Sequence, residues 1–177
     1  MFSKVLSLVV VTFFINDSLQ CFTECPTFWT YFDSNCYRYF GSPFLSWRDA
    51  ERFCINEGGH LVSIHSQKEQ EFVEEYWFSS RDYVPNLAYY SLVRKPFSFL
   101  YIGLQGKGHD GSYEWTDGSP LDYEHWLPGE PSGGHEKGVM LWDRHNNKNR
   151  GRWNDVVPVT PRLYGPFMCK LSPPRRK

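Results

Sequence analysis

Ser46-Trp47-Arg48-Asp49-Ala50-Glu51-Arg52-Phe53-Cys54, followed closely by Gly59-His60-Leu61-Val62-Ser63-Ile64, is the stretch on which the fold turns. Ser46 is a helix N-cap with an acid three residues on, and Trp47, Ala50, Phe53 and Cys54 recur at helical spacing until Glu57-Gly58-Gly59 stops the pattern. Leu61, Val62 and Ile64 then read as a short strand. A second helix is predicted to begin at Ser66, where Ser66-Gln67-Lys68-Glu69 is a capping box and Phe72, Val73, Tyr76 and Trp77 form the apolar stripe.

Upstream, Cys25 to Phe40 reads as a small β element ended by Gly41-Ser42-Pro43. Downstream, Ser79 to Phe99 has no clean period and carries Pro85 and Pro96, the signature of a long surface loop or insertion. From Tyr101-Ile102-Gly103-Leu104 onward the texture is strands and turns, with Asp110-Gly111 and Asp117-Gly118 as turn signals. Helices first and strands later indicate an α+β fold.

The 177 residues are 41% hydrophobic and 18% aromatic, which excludes a disordered chain and suits one domain. A net charge of -1 carries no sequence-wide bias toward nucleic acid or anionic membrane. Lys4 precedes an apolar run from Val5 to Ile15, and a polar stretch from Asn16 to Gln20 follows. That is the layout of a secretory signal peptide over residues 1–20, and the run is shorter than the roughly 20 residues of a membrane-spanning helix. Secretion is the expected localisation, with no integral membrane association. An oxidising compartment then favours pairing among Cys21, Cys25, Cys36, Cys54 and Cys169, although spacing alone leaves the connectivity open.

Glu130-Pro131-Ser132, Glu136 and Trp153-Asn154-Asp155 are the polar residues expected to act together, on loops around the strand Val139-Met140-Leu141-Trp142. Carboxylates and neutral oxygen donors suit a hard cation, and calcium accepts more oxygens at looser geometry than magnesium. A cis bond at Pro131 would turn Glu130 and Ser132 toward one point. No zincin, nucleophile-elbow, phosphate-loop or dinucleotide motif occurs, and scattered Ser, His and Asp show no local constellation, so an enzyme is not expected.

Residues 25–29 (Cys-Pro-Thr-Phe-Trp), Cys36-Tyr37-Arg38, the 46–64 stretch, Tyr101-Ile102-Gly103-Leu104, Trp115-Thr116-Asp117-Gly118, Trp126, Pro128-Gly129-Glu130-Pro131, Trp153-Asn154-Asp155 and Phe167-Met168-Cys169 together resemble a C-type lectin-like domain. The texture is similar to that of small secreted invertebrate lectins. The resemblance implies a domain over residues 22–172, two helices on small antiparallel sheets and a long loop region, and Pro173-Pro174-Arg175-Arg176-Lys177 forms a basic tail at 173–177. It implies the disulfides Cys25–Cys36 and Cys54–Cys169, and leaves Cys21 to link a homodimer. A further short bridge usual in the family is missing, its positions being Gly138 and Pro158.

The resemblance further implies one Ca2+ site on Glu130, Ser132, Glu136, Asn154 and Asp155, with the backbone carbonyl of Asp155 as an added ligand. The same five residues would be the carbohydrate-binding set, reading neighbouring sugar hydroxyls. Glu-Pro-Ser matches neither Glu-Pro-Asn nor Gln-Pro-Asp, so it assigns no sugar. A second calcium site is not expected, because its positions are Gly106, Gly133 and Lys137, with only Asp110 nearby. Trp47, Trp115, Trp126 and Trp153 are expected in the core, and His135 is the histidine placed to touch a ligand. A basic loop from Arg144 to Arg152 leads into Trp153. The function implied is a secreted calcium-dependent lectin recognising vicinal hydroxyls of terminal sugars in innate defence or agglutination. The alternative is a non-sugar-binding structural or protein-binding member, such as a matrix or biomineral protein.

Overall fold

A computed structural model describes residues 25–81, 99–107, 111–135, 137–143, 149–158 and 164–172. The leader, Cys21, Asp110, Glu136, residues 82–98, 144–148 and the tail at 173–177 lie outside the described residues. In chain order the elements are β1 (Thr30–Phe32), β2 (Asn35–Leu45), α1 (Trp47–Asn56), β3 (His60–Leu61), α2 (Gln67–Arg81), β4 (Phe99–Lys107), β5 (Ser112–Trp115), β6 (Gly138–Trp142), β7 (Trp153–Val156) and β8 (Gly165–Leu171). The sheet runs β1-β2-β8-β4-β6-β7, with β3 added to β8 and β5 to β4. The β4–β8 pair is parallel, at Tyr101 and Phe167, and the others are antiparallel. Two helices on a mixed sheet make the α+β fold.

The strands alternate faces, and each face has its own core. Along β4, Leu100, Ile102 and Leu104 enter a cluster with Val62, Val73, Trp77, Trp115 and Trp153, against α2. Phe99 and Tyr101 enter the other, with Trp47, Ala50, Cys54, Met140 and Phe167, against α1. Every residue of β8 is buried, as a strand covered on both faces requires. Trp47, Trp115 and Trp153 are buried, while Trp126 is half-buried at the rim of the first cluster.

Ser46 caps α1 by accepting from the Asp49 N–H at 3.2 Å. Ser66 likewise accepts from the Glu69 N–H at 3.1 Å. The reciprocal half of that second box differs from the expected one. Glu69 Oε2 accepts from the N–H of His65, and Oε1 from Tyr37 and Lys170, because two buried donors nearby claim the carboxylate. Two boundaries also differ. β2 continues past Gly41 to Leu45, with a register shift and a cis Ser42–Pro43 bond on the way, since pairing with β8 outweighs the turn residues. α2 runs to Arg81, past Ser79, and Phe99 already belongs to β4.

Cys25 is bonded to Cys36 and Cys54 to Cys169. The second pair is 115 residues apart in sequence, a loop whose closure stabilises the fold by about 4 to 5 kcal/mol on chain-entropy grounds. At Gly138, where the family's further bridge would attach, a Cβ would stand 2.7 Å from the Trp47 ring, so the indole fills that space instead. Among the described residues no helix is long and apolar enough to cross a membrane.

Candidate functional site

β7 lies at the sheet edge, paired to β6 with Val139 opposite Asp155 and Met140 opposite Asn154. Trp153 precedes both polar residues and anchors them. Its N–H donates to His125 O at 2.8 Å, and its carbonyl accepts from Leu127 N–H at 2.9 Å. Leu127 O in turn accepts from the Glu130 N–H at 3.0 Å. These bonds lay the 125–130 segment alongside β7, and the Glu130–Pro131 bond after it is cis. The loop therefore returns its polar residues onto Asp155.

Asp155 is fully buried and all of its bonded donors are neutral. Oδ1 accepts from the Ser132 N–H at 3.0 Å and its hydroxyl at 3.3 Å, while Oδ2 accepts from the Tyr113 hydroxyl at 2.6 Å and the Gly133 N–H at 2.7 Å. Burial pushes the Asp155 carboxyl up, yet these hydrogen bonds outweigh it and hold the group below the usual carboxylate range. Glu130 behaves oppositely: burial first, then the hydrogen bond and charge of Asp155, raise its pKa. Glu130 Oε2 is buried with no hydrogen-bond partner. Asn154 Nδ2 donates to Asp155 O at 2.7 Å, so the carbonyl expected as a ligand is engaged by its neighbour's amide.

Glu130, Ser132 and Asp155 thus meet, Asn154 touches the backbone carbonyl of Asp155, and Glu136 lies outside the described residues. Among the described residues no three His, Cys, Asp or Glu side chains gather as a metal cluster. The side chains of Glu130, Ser132 and Asp155 nonetheless offer only oxygens, and Glu130 Oε2 is buried without a hydrogen-bond partner. Such a set fits a hard cation better than a transition metal. His135 is exposed on the turn that follows. Arg152 donates to Trp126 O at 3.3 Å, and Arg150 stacks 3.8 Å from the Phe78 ring centroid, so these two basic residues are tied to the fold.

One constellation was invisible in the sequence. His65 joins Asp122 through Nδ1 at 2.7 Å and Ser63 Oγ through Nε2 at 3.2 Å. The order resembles a hydrolase triad, but Ser63 is 1% exposed and its hydroxyl donates to Asp117 at 2.6 Å while Lys170 Nζ stands at 3.2 Å. A nucleophile needs its proton directed at the imidazole and its oxygen open to substrate, and neither holds. Residues 54 to 57 positions apart meet here only through the sheet, so no local motif could have signalled them.

The sequence profile described as the lectin C-type domain matches residues 44–171. Echinoidin of Heliocidaris crassispina is 39% identical over 162 residues, spanning 83% of this chain and 96% of echinoidin. The cow C-type carbohydrate-recognition domain of CD23, solved in the presence of a GlcNAc2Man3 oligosaccharide, shares the fold with a TM-score of 0.63 and 31% identity, over 84% of this chain and 96% of that one. A calcium-independent type II antifreeze protein matches equally well in shape, with a TM-score of 0.63 and 26% identity over 85% of this chain and 95% of its own. Fold, profile and relatives agree across most of the sequence: the chain belongs to the C-type lectin domain family.

Proposed function

We propose that the protein is a secreted, calcium-dependent carbohydrate-binding lectin, with Glu130, Ser132, Glu136, Asn154 and Asp155 holding one Ca2+ and the sugar. The observation that carries this reading is the buried, partnerless Oε2 of Glu130 beside the buried carboxylate of Asp155. Two acids forced together raise the pKa of one, and a cation between them removes that cost. Bound calcium would supply open coordination positions for two neighbouring sugar hydroxyls. Glu130 would accept hydrogen bonds from those hydroxyls and Asn154 would donate one, its amide turning away from Asp155 O. Ser132, shorter than an amide, keeps its N–H on Asp155 and holds the loop closed.

The leader-like sequence at residues 1–20 supports an extracellular location, and Cys21 would be the residue linking a homodimer. A second reading, a structural or protein-binding domain without sugar, is favoured by one observation: protein donors already satisfy both oxygens of Asp155. The calcium-independent antifreeze protein of the same fold is consistent with it. A glycan array with the mature protein, run with calcium and with EDTA, separates the two. The lectin reading expects signal that chelation abolishes and that Glu130→Ala and Asp155→Ala eliminate. Absence of signal on every glycan would sink it.

A further inference from the structure

Gln70 lies on α2, away from the loop that carries the site, and it is completely buried. Its amide is fully engaged. Nε2 donates to Gly151 O at 2.9 Å and to Glu74 Oε1 at 2.7 Å, while Oε1 accepts from the Trp153 indole N–H at 2.9 Å. A buried amide with every partner in place fixes the groups it touches, because letting one go strands a polar atom away from water.

The groups it touches lead directly to the site. Trp153 is covalently next to Asn154 and two residues from Asp155. Through its backbone it also holds His125 and Leu127, and Leu127 O holds the Glu130 N–H. Its ring is boxed edge-on by Trp115, Tyr123 and Trp126 at 5.5, 5.8 and 5.7 Å between centroids. Gly151 is pressed onto the same helix, with no room for a side chain: a Cβ there would stand 2.0 Å from Glu74 Oε1. One side chain on α2 is therefore bonded to the residue from which both candidate segments, the Asn154–Asp155 strand and the Glu130 loop, are held.

We infer that Gln70 is a positioning residue for the cation and sugar site, acting through Trp153 without touching either ligand. The inference rests on the reading of that site given above, since it concerns how the same residues are held. Helix α2 then belongs to the binding machinery. Partners of this kind, behind metal ligands, typically control affinity by about 10- to 100-fold when removed.

Gln70→Met keeps the volume and removes the three hydrogen bonds. Calcium titration by calorimetry should show affinity lower by about 10- to 100-fold at a temperature well below the unfolding midpoint. Amide exchange at Leu127 and Glu130 in calcium-free protein should accelerate, while the β2–β8 amides keep their protection. Trp153→Phe removes the indole donor from the far side together with part of the boxed ring; exchange that accelerates at Leu127 and Glu130 while the β2–β8 amides stay protected decides the matter should Gln70→Met not fold. A lower thermal midpoint with unchanged calcium affinity and uniformly faster exchange would make Gln70 merely structural and overturn the inference. Should the wild-type protein bind no calcium, the site reading fails, and exchange at Leu127 and Glu130 still decides whether Gln70 holds those segments.

Discussion

Two buried acidic clusters in this domain solve the same problem in different ways. Beneath the cleft lined by His60, His65 and Asp117, Glu69 meets an ammonium supplied by the fold: Lys170 Nζ contacts Glu69 Oε1 at 2.6 Å, Ser63 O at 3.0 Å and Ser63 Oγ at 3.2 Å. Every proton of that ammonium has an acceptor, and the positive charge comes from the central strand β8. At the edge of the sheet, Glu130 and Asp155 meet each other through a hydrogen bond, and Asp155 also accepts from a phenol, a hydroxyl and two backbone amides. The contrast teaches which acids are structural. One cluster is neutralised by a lysine of the fold; in the other the charge of Asp155 is met by neutral dipoles, and the calcium proposed above would be its cation.

The largest effect should come from breaking the closed cluster. Lys170→Met leaves Glu69 buried without its cation, and urea unfolding should show a loss of about 3 to 5 kcal/mol. A loss below about 1 kcal/mol would mean the cluster relaxes into water and the contrast is weaker than drawn. Next is Tyr113→Phe, which removes one hydrogen bond from a buried carboxylate and should cost about 1.5 to 3 kcal/mol at pH 7. Because Asp155 titrates below its unfolded value, its contribution is present above that value and lost as pH falls through the folded one. The Tyr113→Phe deficit should therefore shrink in strong acid, and a deficit constant with pH would count against this role.

Glu130→Gln should separate binding from stability. The raised pKa means that the fold disfavours the charged form, so the variant should be at least as stable as the parent at pH 7 without metal. Calcium-dependent glycan signal should nevertheless disappear, and a retained signal would place the cation elsewhere. The smallest effect concerns His60, whose hydrogen bond to Glu51 raises its pKa against the opposing effect of burial. Its contribution is full below the unfolded value near 6.5 and is lost as pH rises through the folded value. Thermal midpoints should drift down slightly over that window in the parent protein, and His60→Gln should flatten the drift.

Much of the architecture was legible because it is written locally. Ser46, Asp49 and the apolar spacing to Cys54 specify α1 within a few turns, and Trp153-Asn154-Asp155 with Glu130-Pro131 marks the loop and strand that the structure brings together. The errors arose where distant partners intervened. Glu69 reads as a capping residue, but Tyr37 and Lys170 come from strands 32 and 101 residues away and claim its other oxygen. Gly41 and Pro43 read as a stop, yet β8 continues the pairing beyond them. Gln70 reads as one more polar residue of a helix, and its importance depends on partners more than 80 positions on.

By itself, then, the sequence determined most of the elements and the family, because caps, periods and short motifs act over neighbouring positions. Only the tertiary structure decided how those residues are charged and held. It placed a lysine against one buried acid and a second acid against another, and it turned a helix glutamine into a strut. Those outcomes follow from which side chains the sheet brings together away from water, where an unmatched charge or an unpaired amide is costly and partner identity decides the chemistry.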